Sequence, residues 1–437
     1  MVTGKDRCED LRVVLNALLF VQAGHSERSA VAMAIDRDTN PRSAGDRALG
    51  LVRRALDRRD GLDRIVSASL PGRMSLAEKC LANLTALLAK DEGGLSADTM
   101  VCLRALSPDD FRRDLEYLLG AVHGPEPTST DKGKDEDRIA AETHNSPWWV
   151  SYCIRTFGRG RALKLLSNCW RPRYVRLNSL RTNGDSALPR QLKGLQDVLE
   201  VVPSLSGVYR VSKSPPSLSG LLSSGLLQFQ DLASYCAVVA AGPVPDESVL
   251  DFCAAPGAKT AALAQLMSNS GEIVSVDYSF PRMRGWMREM RRLGVHIASP
   301  LIGDVTRLGL TRQYELVLLD PPCSGTGIID RNPQMKWRLT QESVTRYSQL
   351  QTRMLEEAYR LLSPTGRILY STCSMTLEEN EQVISAFVEA HPEMETRTLP
   401  LDSNLGSPGM NGLGNCRRFY PYLDKTAGYF IARLERV

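Results

Sequence analysis

Apolar positions in the first 122 residues recur at three- and four-residue steps, the period of helices that each bury one face. Leu11, Val14, Leu15, Leu18 and Leu19 make one stripe, and Leu49, Val52, Leu56, Leu62, Ile65 and Val66 a second. Leu81, Leu84, Leu87 and Leu88 make a third, and Leu115, Leu118 and Leu119 a fourth. This predicts an all-helical domain over residues 1–123. The pattern then stops: residues 124–137, Gly124-Pro125-Glu126-Pro127 through Asp137, contain no aliphatic side chain and cannot bury enough surface to order themselves. A disordered linker is expected over 124–144. Pro147-Trp148-Trp149-Val150 opens a new folded region, and Tyr174–Asn178 alternates like a short strand. Residues 145–242 are expected to form a small α+β subdomain that ends in a helix around 230–241.

From residue 243 to 437 the pattern changes to short apolar runs alternating with helical stretches. Strands are predicted at Val249–Phe252, Glu272–Val276, near Pro300, near Leu316 and at Arg367–Tyr370. Helices are predicted at Thr260–Leu266, Pro281–Leu293 and Tyr347–Leu362, with another begun by a capping pair, Thr376 and Glu379. Closing antiparallel strands are expected around Arg418–Pro421 and Tyr429–Leu434. The fold class is therefore α/β, a doubly wound sheet preceded by a small α+β subdomain and an all-α N-terminal domain.

Chemistry gathers where these strands stop. In open α/β sheets ligands sit beyond the carboxyl ends of the strands. Asp251-Phe252-Cys253-Ala254-Ala255-Pro256-Gly257-Ala258-Lys259-Thr260 joins the first strand to its helix through small residues that let a ligand approach the backbone. It is neither Gly-x-Gly-x-x-Gly nor a phosphate-binding Gly-x-x-x-x-Gly-Lys loop, which removes the main support for dinucleotide or nucleoside-triphosphate binding. Asp277, Asp304 and Asp320 close successive strands in register, as a nucleoside clamp would. Two thiols, Cys323 in Asp320-Pro321-Pro322-Cys323-Ser324-Gly325 and Cys373 in Tyr370-Ser371-Thr372-Cys373-Ser374, end two more strands and could meet over one substrate.

Composition adds limits. Hydrophobic residues at 43% and charged ones at 24% are ordinary globular values, and the net charge of +4 is weakly basic. Between Gly158 and Asn183 lie Arg159, Arg161, Lys164, Arg171, Arg173, Arg176 and Arg181 with no acid, interleaved with Trp170 and Tyr174, a footprint suited to a nucleic-acid backbone. Of the ten cysteines, Cys8, Cys80, Cys102, Cys153, Cys169, Cys236 and Cys416 read as small buried hydrophobes. With no Cys-x-x-Cys and scattered histidines, no metal site is expected. Free thiols without a secretory signal point to a cytoplasmic protein, and no apolar run is long enough for a membrane span.

The strand-end pieces together resemble the RsmB/NSUN family of S-adenosylmethionine-dependent RNA 5-methylcytosine methyltransferases. They are Asp251–Thr260, Asp277, Asp304, Asp320–Gly327, Arg331-Asn332-Pro333 with Lys336-Trp337, and Tyr370–Ser374 with Glu378, Glu379 and Asn380. The one departure is Ala258, where the family usually carries a second glycine. The N-terminal stripes, with Asp46-Arg47-Ala48-Leu49 through Leu62-Asp63, are similar to the NusB-like RNA-binding domain of the bacterial RsmB (Sun) branch.

The resemblance implies that residues 243–437 bind S-adenosyl-L-methionine through Cys253, Ala254, Ala255, Pro256, Gly257, Ala258 and Lys259, with Asp277 on the ribose, Asp304 on the adenine edge and Asp320 also at the cofactor. It implies Cys373 as the nucleophile toward cytosine C6, Cys323 as the group that assists release, and Asp320 on the cytosine N3/N4 edge. Trp337, Arg331 and the basic segment become candidate RNA contacts. The expected partner is RNA, with small-subunit (16S) ribosomal RNA favoured over tRNA, acted on by a monomer. A catalytically silent ribosome-assembly factor is the contrasting reading, and an exocyclic-nitrogen methyltransferase would have no use for Cys373.

Overall fold

The computed structural model describes residues 4–35, 41–70, 72, 74–122, 135–167, 171–182, 192, 195, 197–213 and 215–437. The chain divides into two units: 1–168 with 329–338, and 169–328 with 339–437. No described helix is long and apolar enough to cross a membrane.

The first unit is helical, as its periodicity predicts. Helices Gly4–Gln22, Glu27–Ala34, Pro41–Asp57, Arg59–Ser69, Leu76–Glu92, Ala97–Leu106 and Arg112–Val122 bury the predicted stripes in one apolar cluster. The helix Leu76–Glu92 shows why the boundaries fall where they do. Ser75 and Glu78 close a reciprocal capping box at its start, and Gly93 at φ +64° stops it.

Three expectations change here. Residues 135–143 are not disordered but form the helix Asp135–Thr143, held by buried Ile139 and Ala140. Linker residues 123–134 lie outside the described residues. Helices Pro147–Phe157 and Arg159–Leu166 belong to the helical unit rather than to the α+β subdomain. Cys8 and Cys102 are not free hydrophobes but form a disulfide across 94 positions. Cys80, Cys153, Cys236 and Cys416 are buried free thiols, while Cys169 lies outside the described residues.

The second unit begins with a four-stranded antiparallel sheet of order β2-β3-β1-β4, made of β1 (Arg173–Leu177), β2 (Leu199–Val201), β3 (Val208–Val211) and β4 (Leu227–Phe229). The larger sheet follows. Its strands are β5 (Ser248–Phe252), β6 (Glu272–Asp277), β7 (Ala298–Ile302), β8 (Tyr314–Leu319), β9 (Leu362–Thr372), β10 (Met394–Arg397), β11 (Ser407–Pro408), β12 (Arg417–Phe419) and β13 (Tyr429–Arg436). The order is β11-β12-β13-β9-β8-β5-β6-β7, with β10 on β13. Strands β7, β6, β5, β8 and β9 run parallel, and β13 is antiparallel to β9.

The continuous apolar run of β8 is what burial on both faces requires. Leu316 and Leu318 pack into one core cluster, whereas Val317 and Leu319 pack into another. Chain direction reverses its progress across the sheet between β5 and β8, and a crevice forms at such a switch point.

Candidate active site

The loop from Cys253 to Lys259 leaves β5 at that switch point. Cys253 takes a left-handed backbone, φ +61°, and Gly257 takes φ +107° immediately before the helix Ala258–Leu266. A Cβ on Gly257 would lie 2.7 Å from Met290 Cε and 2.9 Å from Trp286 Cδ1, so only glycine fits. Ala258 is the first helical residue, where a methyl group is compatible with the backbone.

The loop residues Cys253, Ala254, Ala255, Pro256, Ala258 and Lys259 line a cavity with Ser234, Asp251 and Asp320. Sequence reasoning missed Ser234, which stands on the preceding helix Leu232–Ala241 and carries no local signal. Burial pushes the Asp251 carboxyl up to about 7, against the opposing hydrogen bond that Thr260 donates at 2.6 Å.

Asp277 and Asp304 lie outside the residues lining this cavity, at the ends of β6 and β7. Asp277 is 1% exposed and accepts from the Ser279 N–H at 3.0 Å and the Ala255 N–H at 3.3 Å, with Arg282 Nη1 at 3.2 Å. Asp304 is exposed and caps a short helical turn through Thr306. Those hydrogen bonds from the Thr306 backbone and hydroxyl hold its pKa below the usual value. Beside them Tyr278 and Ile302 remain exposed on neighbouring strand ends, apolar surface of the kind a purine ring covers.

Asp320 closes β8 and is gripped on both oxygens. Lys259 Nζ donates to Oδ2 at 2.6 Å, while the Tyr429 and Ser371 hydroxyls donate to Oδ1 at 3.0 and 3.1 Å. Burial works against the Lys259 charge, but Asp320 and Tyr429 more than offset it and its pKa is raised. The Lys259 ammonium is therefore committed to Asp320. A carboxylate offers about four acceptor positions, so Oδ2 still has room for one incoming N–H.

The two strand-end thiols meet. Cys323, beyond β8, and Cys373, beyond β9, place their sulfur atoms 3.2 Å apart. Cys323 is raised well above an ordinary thiol by the hydrogen bond with Cys373 and by burial, with the Glu379 charge adding to both. It keeps its proton and can donate it toward the Cys373 sulfur.

Residues 238–435 match the family model described as 16S rRNA methyltransferase RsmB/F. This domain belongs to the RsmB/F family. The chain is 29% identical over 306 residues to a Bacillus subtilis protein named as a probable ribosomal RNA small subunit methyltransferase B, covering 68% of each chain. It is 30% identical over 268 residues to the ribosomal RNA small subunit methyltransferase B of Photorhabdus laumondii, covering 61% of this chain and 60% of the relative. The crystal structure of PH0851 shares the fold with a TM-score of 0.82 and 24% identity, covering 98% of this chain and 99% of that one.

The site residues fit the family's cofactor, S-adenosylmethionine. Small residues leave room over the loop, Asp277 sits at the second strand end, and Tyr278 with Ile302 offers apolar surface for an adenine.

The RNA-facing candidates divide unequally. Arg176 is 2% exposed, held by Gln230 and Gln228, and burial lowers its pKa to about 10; Arg171 is also buried, 3.8 Å from Asp231. Arg181 donates to the carbonyl oxygens of Arg291 and Arg292. These three are structural, leaving Arg159, Arg161 and Lys164 exposed on the first unit and Arg173 on the second. Lys336 is 4% exposed and bound to Asp57 at 2.6 Å. Trp170 and the Trp337 side chain lie outside the described residues.

Proposed function

We propose that this protein methylates C5 of a cytosine in small-subunit ribosomal RNA, with S-adenosylmethionine as donor and Cys373 as the covalent nucleophile. The observation that carries the reading is the pair of thiols 3.2 Å apart at the ends of neighbouring parallel strands, with Asp320 at the base of the same loop. Cytosine C5 is a poor nucleophile toward a methyl group. Addition of the Cys373 thiolate to C6 puts electron density on C5, which then takes the methyl that the cofactor carries on its positively charged sulfur.

Asp320, with its remaining acceptor position, receives the N4 amino group and orients the ring. After transfer C5 holds a proton that must leave before the C6–S bond breaks. Cys323 gives its own proton to the departing Cys373 sulfur and takes the C5 proton in exchange, so the proton lost from carbon ends on Cys323 and Cys373 leaves as a thiol. The cofactor is held by the Cys253–Lys259 loop, with Asp277 on the ribose and Asp304 at the adenine edge. The base must be unpaired or flipped out to expose C6. Exposed Arg159, Arg161, Lys164 and Arg173 supply backbone contacts in this reading. The enzyme works as a monomer.

Cys373→Ala is expected to abolish both methyl transfer and any covalent RNA adduct, whereas Cys323→Ala accumulates a protein–RNA adduct seen as a slow band on a denaturing gel. The reverse pattern would overturn the assignment. Bisulfite sequencing of RNA from cells with and without the protein identifies the substrate, and protection confined to tRNA would refute the ribosomal choice.

A further inference from the structure

Glu379, Asn380 and Glu381 stand at the start of the helix Glu381–Ala390, and all three are no more than 1% exposed. The expected capping pair does not form there: the helix starts at Glu381, and Glu379 faces inward instead. Its Oε1 accepts the Ser324 N–H at 2.8 Å and the Gln351 amide at 3.0 Å. Its Oε2 accepts the Ser374 hydroxyl at 2.7 Å and the Thr376 hydroxyl at 2.9 Å. Removing a carboxylate from water is costly unless donors replace the solvent, and here four do.

The placement of those donors is the point. Ser324 directly follows Cys323, and Ser374 directly follows Cys373. Gln351 reaches the same loop again through the Pro322 carbonyl oxygen, at 2.9 Å. Asn380 adds a grip on either side of the second thiol, accepting from the Thr372 hydroxyl at 2.5 Å and donating to the Ser374 carbonyl oxygen at 2.9 Å.

We propose that Glu379 is a positioning residue for the reaction: one buried carboxylate spans the loops that carry Cys323 and Cys373 and sets the separation of the two sulfur atoms. At 0% exposure it presents no surface to a bound molecule, and its four donors are all protein groups. Its leverage comes from the steepness with which proton exchange and bond breaking depend on sub-ångström placement. The proposal rests on the roles given to the two thiols, and its charge, which helps keep Cys323 protonated, is secondary to its reach.

Two variants separate reach from charge. Glu379→Gln keeps the length and loses the charge; its amide oxygen accepts from Ser324 and Gln351, and its NH2 donates to the two hydroxyls. Glu379→Asp keeps the charge and is one methylene too short to span both loops. The first readout is independent of catalysis: the rate at which diamide joins Cys323 to Cys373 in the folded, full-length protein. Both thiols lose a hydrogen and the azo group takes up the pair, and the product is followed by peptide mass. Glu379→Asp is expected to slow this at least tenfold, with kcat falling at least tenfold and KM for S-adenosylmethionine unchanged. Glu379→Gln is expected to stay within about threefold of the unaltered protein in all three.

The opposite ranking, equal loss in both variants, or unaltered rates in both would each overturn the proposal. Failure of the underlying reading looks different: Cys373→Ala would still methylate RNA while the oxidation rates followed the predicted order.

Discussion

Asp251 shows how a single side chain at the end of a central strand couples the cavity at the switch point to stability. It is fully enclosed, accepts one hydrogen bond from Thr260, and titrates at about 7 instead of its ordinary 3.8 because burial disfavours the charged form. The folded protein therefore holds this proton more tightly than the unfolded chain. Stability contributed at the site is fully present below about pH 4, falls as pH rises, and is lost above about pH 7. The full penalty is about 4 kcal/mol at most. Asp251→Asn is neutral throughout, and its amide oxygen can still accept from Thr260. Thermal melts are expected to show the variant no more stable than the parent at pH 5 and gaining on it by pH 8. An unchanged difference between the two pH values would show that Asp251 carries no such penalty.

At the scale of elements, the catalytic loops are held by close backbone contact as well as by side chains. The Gly428 N–H donates to the Gly327 oxygen at 2.8 Å, and the Gly327 N–H donates to the Cys373 oxygen at 2.9 Å. A Cβ on Gly428 would lie 2.6 Å from both Gly327 Cα and Met375 Sδ, too close to be absorbed by a rotamer change. Gly428→Ala is expected to destabilise the fold by about 1–3 kcal/mol and to lower kcat by moving the loop after Cys323. Denaturant unfolding beside steady-state kinetics checks both, and an unchanged midpoint would contradict the contact.

The strands that carry these loops were legible because parallel-sheet strands are apolar on both faces and end abruptly. The cavity-lining turn after β5 was legible because small residues mark a strand-to-helix turn whose backbone is open to close approach. What stayed hidden depends on tertiary contact. Thr376 and Glu379 carry the local spacing of a helix cap, yet the buried thiol loops supply better partners, and the helix starts at Glu381 instead of directly after Thr376. Arg171 and Arg176 belong to an uninterrupted basic run, but β1 and its neighbours turn them inward, where they serve packing rather than RNA. Charge in sequence cannot report which face of a strand it occupies until the sheet pairing is known.

For the whole molecule, each of the two units holds an apolar cluster of its own among the described residues. The helical cluster draws only on residues of the first unit, and the clusters around the large sheet draw only on the second. The Cys8–Cys102 disulfide joins two helices of the first unit and closes a loop with a sequence separation of 94. Closing a loop of this length restricts the unfolded chain and typically contributes about 2–4 kcal/mol. That contribution belongs to the helical unit alone. On the proposed function the cofactor binds the other unit and stabilises it in proportion to its occupancy.

Calorimetry of the full chain is therefore expected to show two transitions with different sensitivities. Cys8→Ser, or a thiol reductant on the unaltered protein, lowers one by several degrees and leaves the other in place. S-adenosylmethionine raises the second and leaves the first. With reductant present, the Cys8→Ser difference shrinks to the small effect of replacing a half-buried sulfur. If reductant moved the cofactor-sensitive transition instead, or if one transition responded to both reagents, the two cores would not be energetically separate. The disulfide would then bear on the chemistry at Cys373 rather than on the helical unit alone.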